Sequence, residues 1–423
     1  MVRGFIKFYF PIWLVVLVTS CDLLNHDSTQ DFSEFPVGVN YYPRGKIWRD
    51  FWSRYDKQEI ALDFERLEKM DVDLVRVFLF QDVFLNDSTR GSALNNFDHL
   101  VTTAEKHNLR LIVTSFDWAK PYKYDLNVSK KDSPFNRGLF QIVQKYRLRP
   151  GIYAWDFKNE PDHDFDSDGK EVVLDWLAQA ASVVQVKFPS ILSTVGWLHL
   201  GQEQTVNDQL SFLSFHQFPE QAQLGSRIKE FKEIFPAKKI MLEEVGYSTK
   251  KPSQDDRANL KEEERQSFFI SNAIYSSVAY QLAGLLVWNL YDHPEGVGPL
   301  RPENENYFGI LKVDGSAKLA ASMLNSGVYP NNCGGNVSSN EISGFCVSAW
   351  GSGSKIDTFF SGPSSLKFSA GSFKLDRGYN CFCYKPLASK LLNAFGFSLK
   401  IQHQGLASIN GRKAIPPGEW LFR

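Results

Sequence analysis

Eight short apolar runs alternate with segments of helical periodicity between residues 36 and 326, and this alternation limits the fold more than any other feature of the chain. The runs are Pro36–Tyr42, Asp73–Phe80, Leu109–Phe116, Ile152–Asn159, Ile191–Trp197, Ser211–Gln217, Lys239–Glu244 and Gly284–Leu290. Their continuous apolar texture is that of parallel strands covered on both faces. After the first run, Asp56 and Glu59 form a cap-like pair, and Ile60, Phe64, Leu67 and Met70 follow at helical spacing. Phe97–His107, Phe135–Tyr146, Lys170–Lys187, Arg227–Ile234 and Glu262–Tyr280 read as further helices, and Ser316–Leu324 closes the cycle. Strand and helix in this alternation predict an α/β fold, a (β/α)8 TIM barrel of about 290 residues against a usual size near 250 before insertions. An open doubly wound sheet is the alternative. The eight-fold count and the lack of a Gly-rich phosphate loop in the sequence weigh against it.

In a barrel of this kind the reacting groups sit at the C-terminal ends of the strands. Strand four runs through Trp155-Asp156-Phe157-Lys158 into Asn159-Glu160-Pro161, a carboxylate between an amide and a rigid proline. Strand seven runs into Glu243-Glu244-Val245-Gly246. Side chains alternate along a strand, so only one of Glu243 and Glu244 is expected inside the barrel. The same rule separates Asn159 from Glu160 unless the strand twists or ends there. Arg76 lies within the otherwise apolar strand two, and a buried cation needs anionic or polar partners. His216 ends strand six, a position where a lone histidine is more often structural. Trp118, Trp197 and Trp288 end strands three, five and eight, where an indole either faces a ligand or fills the core. Asp117, Tyr291 and Asp292 are further polar groups near strand ends.

Asn159-Glu160-Pro161 taken with Glu244-Val245-Gly246 resembles the retaining (β/α)8 glycosidase clan, and within it glycoside hydrolase family 5 with its endo-β-mannanase and cellulase-like branch. The resemblance covers the barrel and leaves both ends of the chain outside. It implies Glu160 as acid/base and Glu244 as nucleophile, Glu244 being selected over Glu243 because the family's nucleophile stands one residue before the motif's penultimate position. It also implies that Arg76 keeps the nucleophile ionised, that Asn159 bonds the sugar 2-hydroxyl, and that Trp288 stacks on a sugar ring. The family carries His-x-aromatic at strand six, usually with Tyr, whose hydroxyl meets the nucleophile. Here the residues are His216-Gln217-Phe218, so Tyr247 or a water is left to replace that hydroxyl. The implied function is a retaining β-glycoside hydrolase of β-linked polysaccharide or oligosaccharide, mannan first and β-1,4-glucan second, with no cofactor and no metal. Such chemistry asks for a raised pKa on Glu160 and an ionised Glu244. The rival reading is a non-catalytic carbohydrate-binding lipoprotein on a degenerate glycosidase barrel, with Phe218 its best support.

A formal net charge of −1 gives no electrostatic case for nucleic acid. Ten Trp, 16 Tyr and 34 Phe suit sugar faces and core packing equally. Residues 1–21 read as a signal peptide: Arg3 and Lys7 precede the apolar stretch Phe8–Val18, too short to span a bilayer comfortably. Val18-Thr19-Ser20-Cys21 resembles a bacterial lipobox, which makes Cys21 the expected lipidation site and the membrane a partner through that anchor. An ordinary secretory signal with an incidental Cys21 is the alternative. Residues 22–35 read as a polar tether and 36–326 as the glycosidase-like barrel. Residues 327–423 form a Gly-, Ser- and Asn-rich start followed by short alternating segments, expected as a small β-rich region serving either as a carbohydrate-binding module or as a structural appendage. Its Cys333, Cys346, Cys381 and Cys383 allow two disulfides in three pairings, Cys381 and Cys383 not bonding each other. His403 stands too far along to argue for a metal site. The protein is expected to be exported and monomeric.

Overall fold

The computed structural model describes residues 35–324 apart from 118–123, 125–129, 200–203, 251–254 and 298–302, together with the backbone of strands lying between 346 and 422. The signal segment with Cys21, the tether before Phe35, Trp118 and Cys333 lie outside the described residues.

Eight parallel strands close into a barrel: β1 (Val37–Asn40), β2 (Leu74–Phe78), β3 (Arg110–Thr114), β4 (Ile152–Asn159), β5 (Ser193–Trp197), β6 (Leu213–Gln217), β7 (Ile240–Val245) and β8 (Leu285–Val287). The ladder closes on itself because β1 pairs with β2 on one side and with β8 on the other. This is the (β/α)8 TIM barrel expected from the alternating runs. Apolar side chains such as Val39, Val75, Leu111, Val195 and Leu242 are fully buried, which accounts for the unbroken hydrophobic reading of each strand.

The principal helices are α1 (Lys57–Lys69), α2 (Asp87–Lys106), α3 (Gln141–Tyr146), α4 (Lys170–Lys187), α5 (Leu224–Ile234) and α6 (Asp256–Ala279). Helix α1 starts as its sequence signals require: the Asp56 carboxylate accepts the backbone N–H of Gln58 and Glu59. Helix α2 begins at Asp87, well before the expected Phe97, because Asn86 accepts the N–H of Ser88 and caps a polar first turn that apolar periodicity does not show. Phe97, Leu100, Val101 and Ala104 then bury its inner face. The stretch expected as one helix from Phe135 opens with a π-helical turn, Asn136–Phe140, before α3. The closing segment is a 3-10 turn, Leu319–Met323, rather than a helix of 316–324. Among the described residues, no helix is long and apolar enough to cross a membrane.

Further along, β9 (Cys346–Gly351), β10 (Lys355–Ser361), β11 (Lys367–Lys374), β12 (Gly378–Cys383), β13 (Ser398–His403), β14 (Leu406–Ile409), β15 (Lys413–Ile415) and β16 (Gly418–Phe422) form two four-stranded sheets. Their orders are β11-β10-β13-β16 and β12-β9-β14-β15, with antiparallel pairing throughout. The register sets Cys383 opposite Cys346.

Candidate active site

Three places where the barrel departs from regular pairing build the site. The first is the end of β4. Register shifts between Asp156 and Asn159 against β5, and Glu160 takes a left-handed backbone, φ 41 and ψ 55. A non-glycine residue there carries strain, and such strain collects at functional sites. The turn lets Asn159 and Glu160 reach one centre although they are neighbours in sequence. Pro161 then opens a 3-10 turn, Pro161–Asp164, that carries His163 back over Glu160.

The second is β7, whose register shifts against β6 at Phe215/His216 and against β8 between Leu242 and Val245. Strict alternation sends only one of Glu243 and Glu244 inward. The irregular ladder overturns that expectation: both carboxyls reach Arg76, Glu243 with an oxygen 3.3 Å from Nε and Glu244 in direct contact with Nη1. The third is β6, where the register shift falls at the buried His216, whose backbone carbonyl accepts Nη1 of Arg227 at 2.6 Å.

Arg76 is the hub. Its Nη2 donates to Asp156 Oδ2 at 2.7 Å and to Asn159 Oδ1 at 2.8 Å, and its Nη1 donates to Asn40 Oδ1 at 3.0 Å as well as to Glu244. Sequence reasoning found the arginine and missed Asn40 and Asp156. The signal was present: each is a polar residue inside an otherwise apolar strand, as Arg76 is. Asn159 spends its other group on Asp117, Nδ2 to Oδ1 at 3.2 Å.

Glu160 has different neighbours. His216 Nδ1 lies 2.8 Å from its Oε1 and His163 Nε2 lies 3.2 Å from its Oε2. His216 Nδ1 also stands 3.6 Å from Glu244 Oε2, so the imidazole bridges the two carboxyls. Donor atoms of Glu160, His216 and Glu244 all lie within 4.8 Å of one another, among the described residues the one such group of acids and histidines. Arg76 already supplies the positive charge at Glu244, which favours proton and nucleophile chemistry there over a bound cation. His163 escaped the sequence reading, and its spacing of three residues from Glu160 was the available hint.

Electrostatically the two carboxyls part. Burial pushes Glu244 up, Arg76 opposes, and the charge of Glu160 adds to the rise. Burial also pushes Glu160 up, but hydrogen bonds from His163 and His216 outweigh it and hold the carboxyl below its usual range. These directions are opposite to those the chemistry asks for, burial being the chief cause at Glu244 and the pair of histidines the cause at Glu160. Burial in turn lowers His216, against the pull of Glu160. Glu243 rises to about 7, chiefly from burial.

The remaining candidates separate clearly. Trp288 is half-buried at the end of β8, edge-on to Tyr42 at 6.4 Å and to Phe78 at 5.9 Å, and so stands at the mouth. Trp197 is fully buried beside Phe165 and offers no face to a ligand, a core position rather than a binding one. Tyr291 donates to Asp63 at 2.5 Å and Asp292 pairs with Lys318 at 2.7 Å, which commits both to structural contacts. Phe218 packs edge-on to Phe308 with centroids 5.7 Å apart, beside Gly246, where any Cβ would meet the Phe218 ring at 2.9 Å. The Tyr247 hydroxyl does not take the place of a residue-218 hydroxyl. It donates to Glu262 at 3.3 Å instead.

The fold and this centre define a (β/α)8 barrel with paired carboxyls at the C-terminal mouth of its strands. Likeness to known proteins runs the same way. A probable mannan endo-1,4-β-mannosidase F of Aspergillus oryzae is 25% identical over 194 residues, 37% of this chain and 42% of the relative. Mannan endo-1,4-β-mannosidase F of Aspergillus clavatus is 22% identical over 197 residues, 39% of this chain and 43% of the relative. The chain thus spans less than half the length of the curated relatives it matches. No protein-family model matches it. Among solved structures, a GH5_18 protein from Bifidobacterium longum subsp. infantis aligns with TM-score 0.55 at 16% identity, covering 68% of this chain and 76% of the other. An exo-β-1,4-mannosidase from Opitutaceae bacterium strain TAV5 aligns with TM-score 0.54 at 17% identity, over 69% of this chain and 58% of the other. Similarity to mannosidases is therefore found by both routes and similarity to family 5 barrels by the structural one, and at these identities the structural likeness is one of fold.

Proposed function

We propose that the chain is a retaining β-glycoside hydrolase acting on β-1,4-linked mannosides, with β-1,4-glucan second, in which Glu160 is the acid/base and Glu244 the nucleophile. The observation that carries this reading is that an oxygen of each carboxyl lies within 4.8 Å of the other's at the barrel mouth, with Arg76 on Glu244. Retaining pairs stand about 5–5.5 Å apart, whereas inverting pairs keep about 6.5–9.5 Å to admit a water.

In the first half-reaction an oxygen of Glu244 bonds to the anomeric carbon while the bond to the leaving oxygen breaks and Glu160 gives that oxygen its proton. In the second, Glu160 takes a proton from water, the water oxygen bonds to the same carbon, and the Glu244 ester breaks. Sugar entering the cleft displaces His163, whose side chain is 55% exposed, from Glu160. Loss of that hydrogen bond lets burial raise Glu160 toward the protonated state it needs as an acid, with His216 still opposing. Asn159 serves the 2-hydroxyl and Trp288 the sugar face. Mannan as first substrate is supported by the relatives, which are named as mannan endo-1,4-β-mannosidases. The protein acts outside the cytoplasm as a monomer, held to a membrane by lipid on Cys21.

Purified protein assayed on mannan, cellulose and xylan, with the first-formed anomer read by NMR, tests this. Mannan turnover with retained configuration is expected. An inverted product sinks double displacement, and a preference for xylan removes the substrate choice alone. Binding without turnover on every substrate leaves the non-catalytic reading.

A further inference from the structure

Arg76 carries one positive charge and touches three carboxyl groups, those of Asp156, Glu243 and Glu244. All four side chains are buried, so three ionised carboxyls would leave two negative charges uncompensated away from water. At least one of the three must therefore hold a proton.

The donors are unequally shared. Asp156 accepts four: Arg76 Nη2 at 2.7 Å, Thr114 Oγ1 at 2.8 Å, and the backbone N–H of Gly196 at 3.0 Å and Lys158 at 3.1 Å. Glu244 accepts Nη1 of Arg76 directly. Glu243 is the poorest supplied. Its Oε1 completes no hydrogen bond among the described residues, and its Oε2 meets only the hydroxyl of Ser214.

That hydroxyl decides the matter. Ser214 Oγ has three oxygen neighbours: the Glu243 carboxyl, the Val195 carbonyl at 3.0 Å and Thr194 Oγ1 at 2.9 Å. A hydroxyl has one proton to give, and a carbonyl can only accept. If Ser214 donates to Val195 and accepts from Thr194, its contact with Glu243 is satisfied by a proton on the carboxyl. One arrangement then completes all three contacts.

We propose that Glu243 is a positioning residue kept protonated in the working centre, so that the single cation Arg76 is shared by two carboxyls, Asp156 and the nucleophile Glu244, and not by three. The proposal rests on the reading of Glu244 given above. Charged or titratable groups face Glu243 from every side: Arg76 of β2, Asp156 of β4, Glu244 of its own strand and His216 of β6. Arg76 Nη2, Glu243 Oε2 and His216 Nε2 each stand 3.0 Å from the point a Cβ on Gly196 would occupy, so β5 makes room for the cluster by having no side chain there. On β1, neutral Asn40 holds the Glu243 carbonyl, Nδ2 to O at 2.9 Å. Burial of the carboxyl, which raises it to about 7 against the opposing pull of Arg76, agrees with a proton resident near neutrality.

The test uses the whole protein and its Glu243→Gln and Glu243→Ala variants. Infrared difference spectra between about pH 5.5 and about pH 8.5 should show a carboxylic C=O band in the wild type that Glu243→Gln lacks. A carboxyl raised on folding stabilises most when protonated, so the wild type should lose stability relative to Glu243→Gln as pH rises from 4.5 through about 7. On activity, the neutral isostere should exceed Glu243→Ala at least about tenfold in kcat, since it supplies the same neutral partner to Ser214. An unchanged band in Glu243→Gln, or parallel stability curves, overturns the proposal. A Gln variant as inactive as Ala, where the wild type turns glycoside over, overturns it too, because the negative charge would then be what matters. The spectra and stability curves decide the protonation even if no glycoside is turned over, which separates this inference from the proposed function.

Discussion

Glu160 and Glu244 are the same functional group placed at two corners of one barrel mouth, and their surroundings differ in kind. At the β4 corner two histidines hold Glu160, one of them exposed, and the side chain is 14% accessible. At the β7 corner a fully buried arginine holds Glu244, whose side chain is 4% accessible. The histidine corner can be rearranged by whatever enters the cleft, because a half-exposed imidazole is displaced at little cost. The arginine corner cannot, because moving Arg76 strands three carboxyls. A fixed charge suits a nucleophile and an adjustable one suits a group that must both give and take a proton.

The largest effect should come from removing the carboxyls themselves. Glu244→Ala should abolish turnover, and azide should restore part of it by attacking from the vacated face. Glu160→Ala should lose about 10²–10⁴-fold, the ordinary worth of a general acid/base, and lose least on substrates with good leaving groups. Steady-state rates on activated and natural substrates check both. Azide should carry Glu244→Ala to a glycosyl azide of inverted configuration, after one displacement, and Glu160→Ala to one of retained configuration, after two; the reverse pairing would exchange the roles of the two corners.

A smaller effect breaks the histidine corner alone. His163→Ala removes one of the bonds that hold Glu160 down, so its pKa should rise. The free enzyme needs Glu160 protonated to react, so a higher pKa extends activity toward alkaline pH. The alkaline limb of the kcat/KM profile should move to higher pH, which a pH series across the limb reads. A limb that moved to lower pH, or an unmoved profile with lower kcat throughout, would reduce His163 to a structural role.

The barrel and the placing of Glu160, Glu244 and Arg76 at one mouth were legible because they rest on strong one-dimensional signals. Parallel strands buried on both faces read as apolar runs, and a polar residue inside such a run, as Arg76 is, or at its end, as Glu160 is, stands out. What the sequence hid was local geometry. Nothing in Glu243-Glu244 announces the register shifts that turn both carboxyls toward Arg76, and alternation predicts the opposite. Nor does the sequence show that Glu160 is left-handed, which is what returns His163 over it. Trp197 and Trp288 end strands in the same way, and only packing separates the buried indole from the one at the mouth. The polar cap of α2 was missed because caps precede the periodicity that betrays a helix.

The smallest expected effect concerns a hydroxyl missing from the β7 corner. With Phe218 beside Gly246, the next phenol along the chain past β7 is Tyr247, two residues beyond Val245 and a natural candidate from sequence alone. Its hydroxyl, however, donates to Glu262 of α6 at 3.3 Å, and its ring leans on Phe269 with centroids 5.9 Å apart. A partly exposed hydrogen bond of that length is worth about 0.5–1.5 kcal/mol at most. It acts on the packing of α6, not on the carboxyl. Tyr247→Phe should therefore leave kcat/KM within about twofold and lower Tm only slightly. If Tyr247→Phe instead cost tenfold or more in kcat at unchanged KM, the hydroxyl would reach the nucleophile during turnover. The β7 corner would then be adjustable as well, and the contrast between the two carboxyls would narrow to the difference between an imidazole and a phenol.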